Sequence, residues 1–425
     1  MKLLVVGSGG REHAIAWKLA QSAKTTRVYV APGNAGTALE PGVQNIDITD
    51  IAELVKFAKD EHIAYTVVGP EAPLAAGIVD TFRAAGLKIW GPTRYCAQLE
   101  SSKAFAKSFL ERHNIPTAKS AVFTDIEEAK AYVEQQGAPI VIKADGLAAG
   151  KGVVVAMTLE EAHAALEGAL SGNKFGEAGH RVVVEAFLEG EEVSFIVMAH
   201  GRQVISLATS QDHKRLLEGD RGPNTGGMGA YSPASIVTPA LHARIIREII
   251  NPTLQGMLQE GHSYTGFLYA GLMIDAKGNP QVIEFNCRLG DPETQPILMR
   301  LKSDFVTLIE QGIEGELDQA NPEWDRRTAI GVVLAAANYP ETPKKGDAIQ
   351  GLPRHNSWSD ETRVFHAGSE LNESGTIVTN GGRVLCITSL GDTVRIAQKN
   401  AYHALEDIYF EGMQFRPDIG YRAIR

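Results

Sequence analysis

Carboxylate, amide and guanidinium groups crowd one short stretch of the chain, GNPQVIEFNCRLGDPETQP at 278–296. QVIEFN alternates as a strand does. Glu284 and Asn286 stand two apart, so both side chains leave one face, while Ile283 and Phe285 point the other way into a core. A carboxylate and an amide oxygen side by side are hard ligands, suited to Mg2+ shared with phosphates. Arg288 follows on the same face if the strand holds, where it can contact an anion bidentately. Asp291 and Glu293 crowd the same end. The plainer alternative is the polar face of an edge strand.

Upstream, two lysines are set around glycines in APIVIKADGLAAGKGVVVAM at 138–157. β-Rich runs at 140–143 and 153–156 flank a tip of small residues, so the segment reads as a hairpin. A Walker loop needs GxxxxGK[ST] and a following helix. Here Gly146 and Gly150 are too close, Lys151 precedes Gly152, and a strand comes next. Small residues still let backbone N–H groups approach phosphate oxygens, and lysine adds a point charge. Lys143 can reach the same phosphates. A plain flexible hairpin is the alternative.

Three further segments carry weaker signals. In LESSKAFAKSFLERHNIPTA at 99–118, Ser101 or Ser102 caps a helix that ends before Pro116. Lys103 and Lys107 lie four apart on it, which read alone is a solvated basic face. In RVVVEAFLEGEEVSFIVMAHG at 181–201, two strands flank a break. Glu185 and the run to Leu188 sit at this crossing, where exposed backbone can meet an adenine edge; Glu192 suits ribose hydroxyls. ATSQDHKRLLEGDRGPNTGGMGAYSP at 208–233 is too rich in Gly, Asp and Asn for a core element and reads as a long loop, functional or disordered.

These groups need a frame, and the first hundred residues supply one. Apolar runs KLLVVG, RVYVAPG, AYTVVGPE and KIWGPT alternate with helical EHAIAWKLAQS, DIAELVKFAKDE and AAGIVDTFRAAG. That pattern is a parallel sheet covered on both faces, with ligands expected beyond the carboxyl ends of its strands. Three strands end there in GSGGREH, APGNAGT and GPEAPL. A dinucleotide fingerprint would put its third glycine at Glu12, and the second strand ends without an acid, so two NAD criteria fail. The loop still offers free N–H groups and a helix dipole to another phosphate, and Arg11 adds a charge; a ligand-free turn is the alternative. From about Arg326, strands TAIGVVLAAANYP, TRVFHAG and GRVLCITSLG with helix TVRIAQKNAYHALEDI make a small α+β unit. It closes the site from one side or is a structural cap, and Arg383 is a candidate substrate contact.

Composition narrows the class. The 425 residues allow two to four domains. The net charge of −10 argues against broad binding to nucleic acid or an anionic membrane. Cys96, Cys287 and Cys386 form no CxxC pair, which suits a reducing compartment and disfavours a thiolate zinc site. The longest apolar run, 329–337, is half of the about 18 residues that a span needs. The N-terminus lacks a signal-peptide pattern. A cytoplasmic protein is expected. No Ser-His-Asp or Cys-His set is evident.

Taken together, VIKADGLAAGKGV, VVEAFLEGEE, SQDHKR, NTGGMGAYSP and EFNCRLGDPETQ resemble the ATP-grasp carboxylate–amine ligases. GSGGREHA, APGNAGT and GPEAPL narrow the resemblance to the glycinamide ribonucleotide synthetase family, and the likeness runs from residue 1 to about 420, including FHAG and TNGGRVL. The resemblance implies a multidomain α/β and α+β fold. Residues 1–100 would be a Rossmann-like parallel-sheet domain for phosphoribosylamine, 101–325 the ATP-grasp domain with a lid subdomain at about 119–192, and 326–425 the α+β domain.

It also implies roles. Lys103 and Lys143 would contact the phosphates of ATP, and Gly146, Gly150, Lys151 and Gly152 would close over them. Glu185, Phe187 and Leu188 would frame the adenine, and Glu192 the ribose. Glu284 and Asn286 would hold Mg2+ or Mn2+. Asp212, Arg288 and Asp291, with Lys151, would surround glycine and the transferred phosphoryl group. Gly9, Gly10 and Arg11 would bind the ribose 5-phosphate, with Asn34, Gly36, Thr37, Glu71, Pro73 and Pro292 completing the substrate contacts. One departure stands out. Many ATP-grasp enzymes carry a further metal-binding acid on the preceding strand, but LYAGLMID is apolar near Met273 and Ile274, and Asp275 should face elsewhere. The implied activity is ATP-dependent ligation of glycine to 5-phosphoribosylamine through glycyl phosphate, in purine biosynthesis, by a monomer without nucleic-acid or membrane partners. The alternatives are an ATP-grasp ligase for another carboxylate or ribotide, and a nucleotide-binding protein without turnover. The intact set Lys143, Glu284, Asn286 and Arg288 argues against the latter.

Overall fold

The computed structural model describes residues 1–148, 151–171 and 180–424; Gly150 of the expected lid loop lies outside them. The first sheet is parallel throughout, in the order β3-β2-β1-β4-β5, from β1 Lys2–Gly7, β2 Arg27–Pro32, β3 Val43–Asn45, β4 Tyr65–Val68 and β5 Ile89–Trp90. Successive residues of β1 feed opposite faces: Leu3 and Val5 pack with Ile15 and Leu19, while Leu4 and Val6 pack with Leu54 and Phe82. Burial on both faces is why these strands are apolar along their length. The helices between them are α1 Gly10–Ala20, α2 Ala35–Ala38, α3 Ile51–Asp60, α4 Glu71–Ala75 and α5 Ile78–Ala84.

Two helices follow, α6 Arg94–Ser101 and α7 Lys103–Arg112, parted at Ser102. Ser102 is extended there, and its Oγ accepts from the N–H of Phe105, so of the two serines expected as caps it is Ser102 that caps α7, while Ser101 ends α6. An antiparallel sheet ordered β6-β9-β7-β8 comes next, from β6 Ser120–Phe123, β7 Ile140–Ala144, β8 Val153–Ala156 and β9 Val182–Ala186. The expected hairpin is β7–β8, paired from Ile140 with Ala156 to Lys143 with Val153. β10 Glu191–His200 and β11 Gln203–Ser206 begin a further sheet.

The 208–233 segment departs from expectation. It contains β12 Gln211–Asp212, β13 Arg215–Leu217, β14 Arg221–Asn224 and β15 Gly229–Ser232, and Gln211, His213, Met228, Ala230 and Tyr231 are buried. β15 enters a sheet from the end of the chain. Gly229 permits this: a Cβ there would fall 2.7 Å from the Gly331 carbonyl and 2.6 Å from Ile419 Cδ1. The residues that make this polar run a core element lie a hundred or more positions away.

β16 Thr265–Ile274 and β17 Pro280–Asn286 complete the sheet β11-β10-β16-β17. β17 carries a bulge: Gly271 faces Glu284, but Leu272 faces Val282. The strict alternation expected for QVIEFN is therefore broken. Val282 and Phe285 enter the core, whereas Ile283, expected there, is only half-buried. The last sheet, β12-β15-β18-β22-β19, uses β18 Thr328–Ala335, β19 Thr362–His366 and β22 Arg383–Gly391; β20 Ser369–Leu371 and β21 Ile377–Thr379 form a ribbon beside it. The helix Val394–Leu405 covers this sheet through Ala397, Ala401 and Leu405. The first and last sheets meet around Glu40, which pairs with Arg363 Nη2 at 2.6 Å and accepts from Asn356 Nδ2 at 2.7 Å. The three cysteines are free and buried. No helix among the described residues is long and apolar enough to cross a membrane.

Candidate active site

A cleft of about 630 Å³ runs between the β7 sheet, the β17 sheet and the carboxyl end of the first sheet. Lysines gather at one side of it. Lys103, the first residue of α7, donates from Nζ to the carbonyl of Gly146 at 2.7 Å. Lys143 donates to Ile283 O at 3.1 Å and pairs with Glu185 Oε2 at 3.0 Å. Lys107 is not on a solvated face. It is buried, donates to Thr117 Oγ1 at 2.7 Å and Ala118 O at 2.8 Å, and lies 3.7 Å from Glu185 Oε1. Burial pushes its ammonium down to about 8, against the pull of Glu185. Glu185 thus sits between two cations, next to the 187–190 crossing, and Phe187, Leu188 and Glu192 line the same cleft. Glu192 pairs with Lys214 at 2.9 Å.

Carboxylates and arginines gather across from them. Burial would raise the Glu284 carboxyl, but Lys214, Lys143, Lys103 and Arg288 outweigh it and keep it below the ordinary range. Asn286 Oδ1 accepts from Arg288 Nη2 at 3.3 Å. Arg288 is anchored by Glu100 at 2.9 Å and Glu71 at 3.4 Å. Burial, then Glu293, Glu192 and Glu284, push Asp212 up to about 7, with Lys214 opposing. Asp291 accepts from the N–H of Arg11 at 3.2 Å and from Gln295 Nε2 at 2.8 Å. Arg383 reaches in from the last sheet and donates to the carbonyls of Asp291 at 2.7 Å and Gly226 at 2.8 Å.

The donor set fits a divalent cation bound mainly through phosphate oxygens. The Glu284 carboxylate is held ionised by cations at longer range, and it has neither a hydrogen bond nor an ion pair among the described residues. Asn286 adds one neutral oxygen. No cluster of three or more His, Cys, Asp or Glu with metal-holding geometry occurs among the described residues. Two hard protein ligands leave positions open for phosphates and water. On β16 the place expected for a further acid is Met273, which lines the cleft.

The first-domain loop holds its own anion. Glu12, at the third fingerprint position, turns back so that Oε2 accepts from the N–H of Gly9 at 2.7 Å and Oε1 from Arg11 Nε at 2.7 Å. Its stem lies over Gly69, where a Cβ would meet Glu12 Cδ at 2.5 Å. With Asp291 on the N–H of Arg11, carboxylates already occupy two of the loop amides.

Of the residues expected from sequence, the cleft gathers Arg11, Glu71, Lys103, Lys143, Gly146, Gly152, Glu185, Phe187, Leu188, Glu192, Asp212, Glu284, Asn286, Arg288 and Asp291. Its lining does not include Gly9, Gly10, Asn34, Gly36, Thr37, Pro73, Lys151 or Pro292. Asn34 instead donates to the carbonyls of Ser8 and His366, and the Gly36 carbonyl accepts from Asn356, so this loop faces the last sheet. Pro292 packs against Gly227. Glu100, Lys214 and Arg422 line the cleft without a sequence reading of their own, and Lys107 lines it against its expected solvated face. Lys214 stands in SQDHKR, a usable signal; Glu100 carries none in its own neighbourhood.

Comparison with known proteins places the whole chain. Residues 1–100 match the N domain of phosphoribosylglycinamide synthetase, 101–294 its ATP-grasp (A) domain and 329–422 its C domain. The phosphoribosylamine–glycine ligase of Ralstonia nicotianae is 63% identical over 425 residues, with 100% of each chain covered. That of Yersinia pestis is 61% identical over 426 residues, covering 100% of this chain and 99% of its own. The crystal structure of the Thermotoga maritima phosphoribosylamine–glycine ligase superposes with a TM-score of 0.85 at 35% identity, covering 99% of this chain and 100% of that one. The biotin carboxylase domain of Hydrogenobacter thermophilus 2-oxoglutarate carboxylase shares the fold alone, with a TM-score of 0.74 at 17% identity over 97% and 91% of the chains. Matched by all three models and similar to such relatives from end to end, the chain belongs to the phosphoribosylglycinamide synthetase family.

Proposed function

We propose that the chain ligates glycine to 5-phosphoribosylamine with ATP, giving glycinamide ribonucleotide, ADP and phosphate in purine biosynthesis. The observation that carries this is the cleft itself, where Lys103 and Lys143 face Glu284, Asn286 and Arg288, in a chain so similar to ligases of that name. A glycine carboxylate oxygen attacks the γ-phosphorus of ATP; the new P–O bond forms as the bond to ADP breaks. The amine then attacks the acyl carbon of glycyl phosphate, and phosphate leaves with the bonding pair and takes up the amine proton. The protein positions the reactants and neutralises charge, and no side-chain nucleophile is needed.

Lys103, Lys143 and the 146–152 loop, with Lys151, would hold the phosphates; Glu185, Phe187, Leu188 and Glu192 the nucleoside. Glu284 and Asn286 would hold Mg2+ or Mn2+, which supplies a positive charge shared by the phosphate oxygens. Arg288, Asp212 and Asp291 would flank glycine and the moving phosphoryl group. Arg11 and Glu71 open onto the cleft from the first domain, the side proposed for the ribotide. The division near residues 100 and 325, with a lid at about 119–192, and a cytoplasmic monomer belong to the same reading. The test is ADP release by the purified chain with ATP, Mg2+ and glycine, with and without freshly made phosphoribosylamine. Release needing both substrates, with glycinamide ribonucleotide seen by mass spectrometry, is expected. No release under any combination overturns the reading.

A further inference from the structure

Asp145 does not line the cleft, yet it gathers more donors than any single role in folding β7 requires. It lies two residues past Lys143, at the edge of that strand, and is buried. Its Oδ1 accepts from the N–H of Gly146 at 2.9 Å and of Ala104 at 3.2 Å, and Ser102 Oγ donates to it at 3.3 Å. Its Oδ2 accepts from Arg181 Nε at 2.8 Å and pairs with Nη2 at 2.7 Å. The carboxylate therefore binds three separate stretches: the start of α7, the first residue of the glycine loop, and the entry to β9.

The two residues it grips on α7, Ser102 and Ala104, flank Lys103. Lys103 in turn donates to the carbonyl of Gly146, whose own N–H is on Asp145. Lys103 and Lys143 belong to different elements, a helix and the β6–β9 sheet, and Asp145 joins those elements beside both lysines. A lysine ammonium is a point charge on a four-carbon stem, and holding two of them at one phosphate spacing costs conformational freedom unless their backbones are fixed beforehand. A negative charge at the start of α7 also agrees with the helix dipole.

We propose that Asp145 is a positioning residue for nucleotide: its carboxylate locks Lys103 and Gly146 in register with Lys143, so the triphosphate meets a preformed set of donors. This rests on the ATP-binding reading above. It separates two effects that a purely structural role would not. Loss of the lock weakens nucleotide binding and leaves the glycine end of the cleft intact.

The test is calorimetric titration of the full chain with a non-hydrolysable ATP analogue and Mg2+, together with steady-state KM for glycine and thermal melting. Asp145→Asn keeps the size and one acceptor oxygen, but turns an amide N–H₂ toward a donor. A rise of about tenfold in Kd for the analogue is expected, with glycine KM and Tm close to the parent. Arg181→Ala removes only the half-exposed arm and should raise Kd about threefold. Parent-like nucleotide affinity in Asp145→Asn overturns the proposal, as does a joint loss of nucleotide affinity, rise in glycine KM and fall in Tm. If Asp145→Asn does not fold, Arg181→Ala decides: a raised Kd supports the lock, and an unchanged one overturns it. A parent chain that binds no analogue overturns the ATP reading and the lock together, whereas a binding parent with indifferent variants sinks the lock alone.

Discussion

Replacing Asp212 by asparagine should stabilise the protein while removing its activity, and the stabilisation should depend on pH. In the folded chain burial and three neighbouring carboxylates push this carboxyl from an ordinary 3.8 up to about 7. The group therefore favours the fold fully below its unfolded value, and that contribution is lost as the pH rises through 7. Over that interval, at about 1.4 kcal/mol per pH unit, ionising Asp212 in place costs at most about 4 kcal/mol. Asp212 is only half-buried, and cleft water lowers the figure below this cap. Urea unfolding of the parent and Asp212→Asn, without nucleotide or metal, should give a stability difference about 2 kcal/mol larger at pH 8 than at pH 5, in favour of the variant. In the same variant kcat should fall sharply, because asparagine cannot carry charge at the place proposed for glycine. Parallel stability curves across this range would refute the electrostatic account of the site.

Three further outcomes follow from the contacts. Glu284→Ala should lose on the order of 3 kcal/mol of transition-state stabilisation, over a hundredfold in kcat, with unchanged circular dichroism; near-parent turnover would refute the metal role proposed for it. Glu100→Gln leaves an acceptor for the N–H of Cys287 but takes the charge from Arg288. Because Glu71 still pairs with Arg288, kcat/KM should drop only about tenfold, roughly one charge-assisted hydrogen bond, in steady-state assays. Gly69→Ala puts a methyl against Glu12 and should lower unfolding free energy by about 1–3 kcal/mol in a denaturant melt; an unperturbed midpoint would mean that Glu12 does not fill the loop.

Much of this was readable before folding, and the exceptions share a cause. The parallel sheet shows in sequence because strands such as 2–7 are covered on both faces and must be apolar throughout. The β7–β8 hairpin and the Ser102 cap show because their signals are local. Lys107 misleads, since nothing in its own helix tells that Thr117, Ala118 and Glu185 close over it. Ile283 misleads because the bulge is set by its pairing with β16, not by QVIEFN itself. The 208–233 run misleads most: its polarity is real, but its strand β15 is buried by pairing with β18, far along the chain. Asn34 and Thr37 sit in a loop with the composition of a binding loop, yet their hydrogen bonds are made within the first domain or to the last sheet.

The insertion of β15 between β12 and β18 has a bearing on how the protein is made and recombined. During synthesis the 229–232 strand emerges about a hundred residues before β18, the neighbour that will cover its open edge, and must wait unpaired on that side until then. A chimera cut at the apparent boundary before β18 would divide a sheet between two parents. Exchangeable units should therefore carry residues 211–232 with the C-terminal sheet, a discontinuous module in which the middle of the chain supplies two strands and the end supplies three.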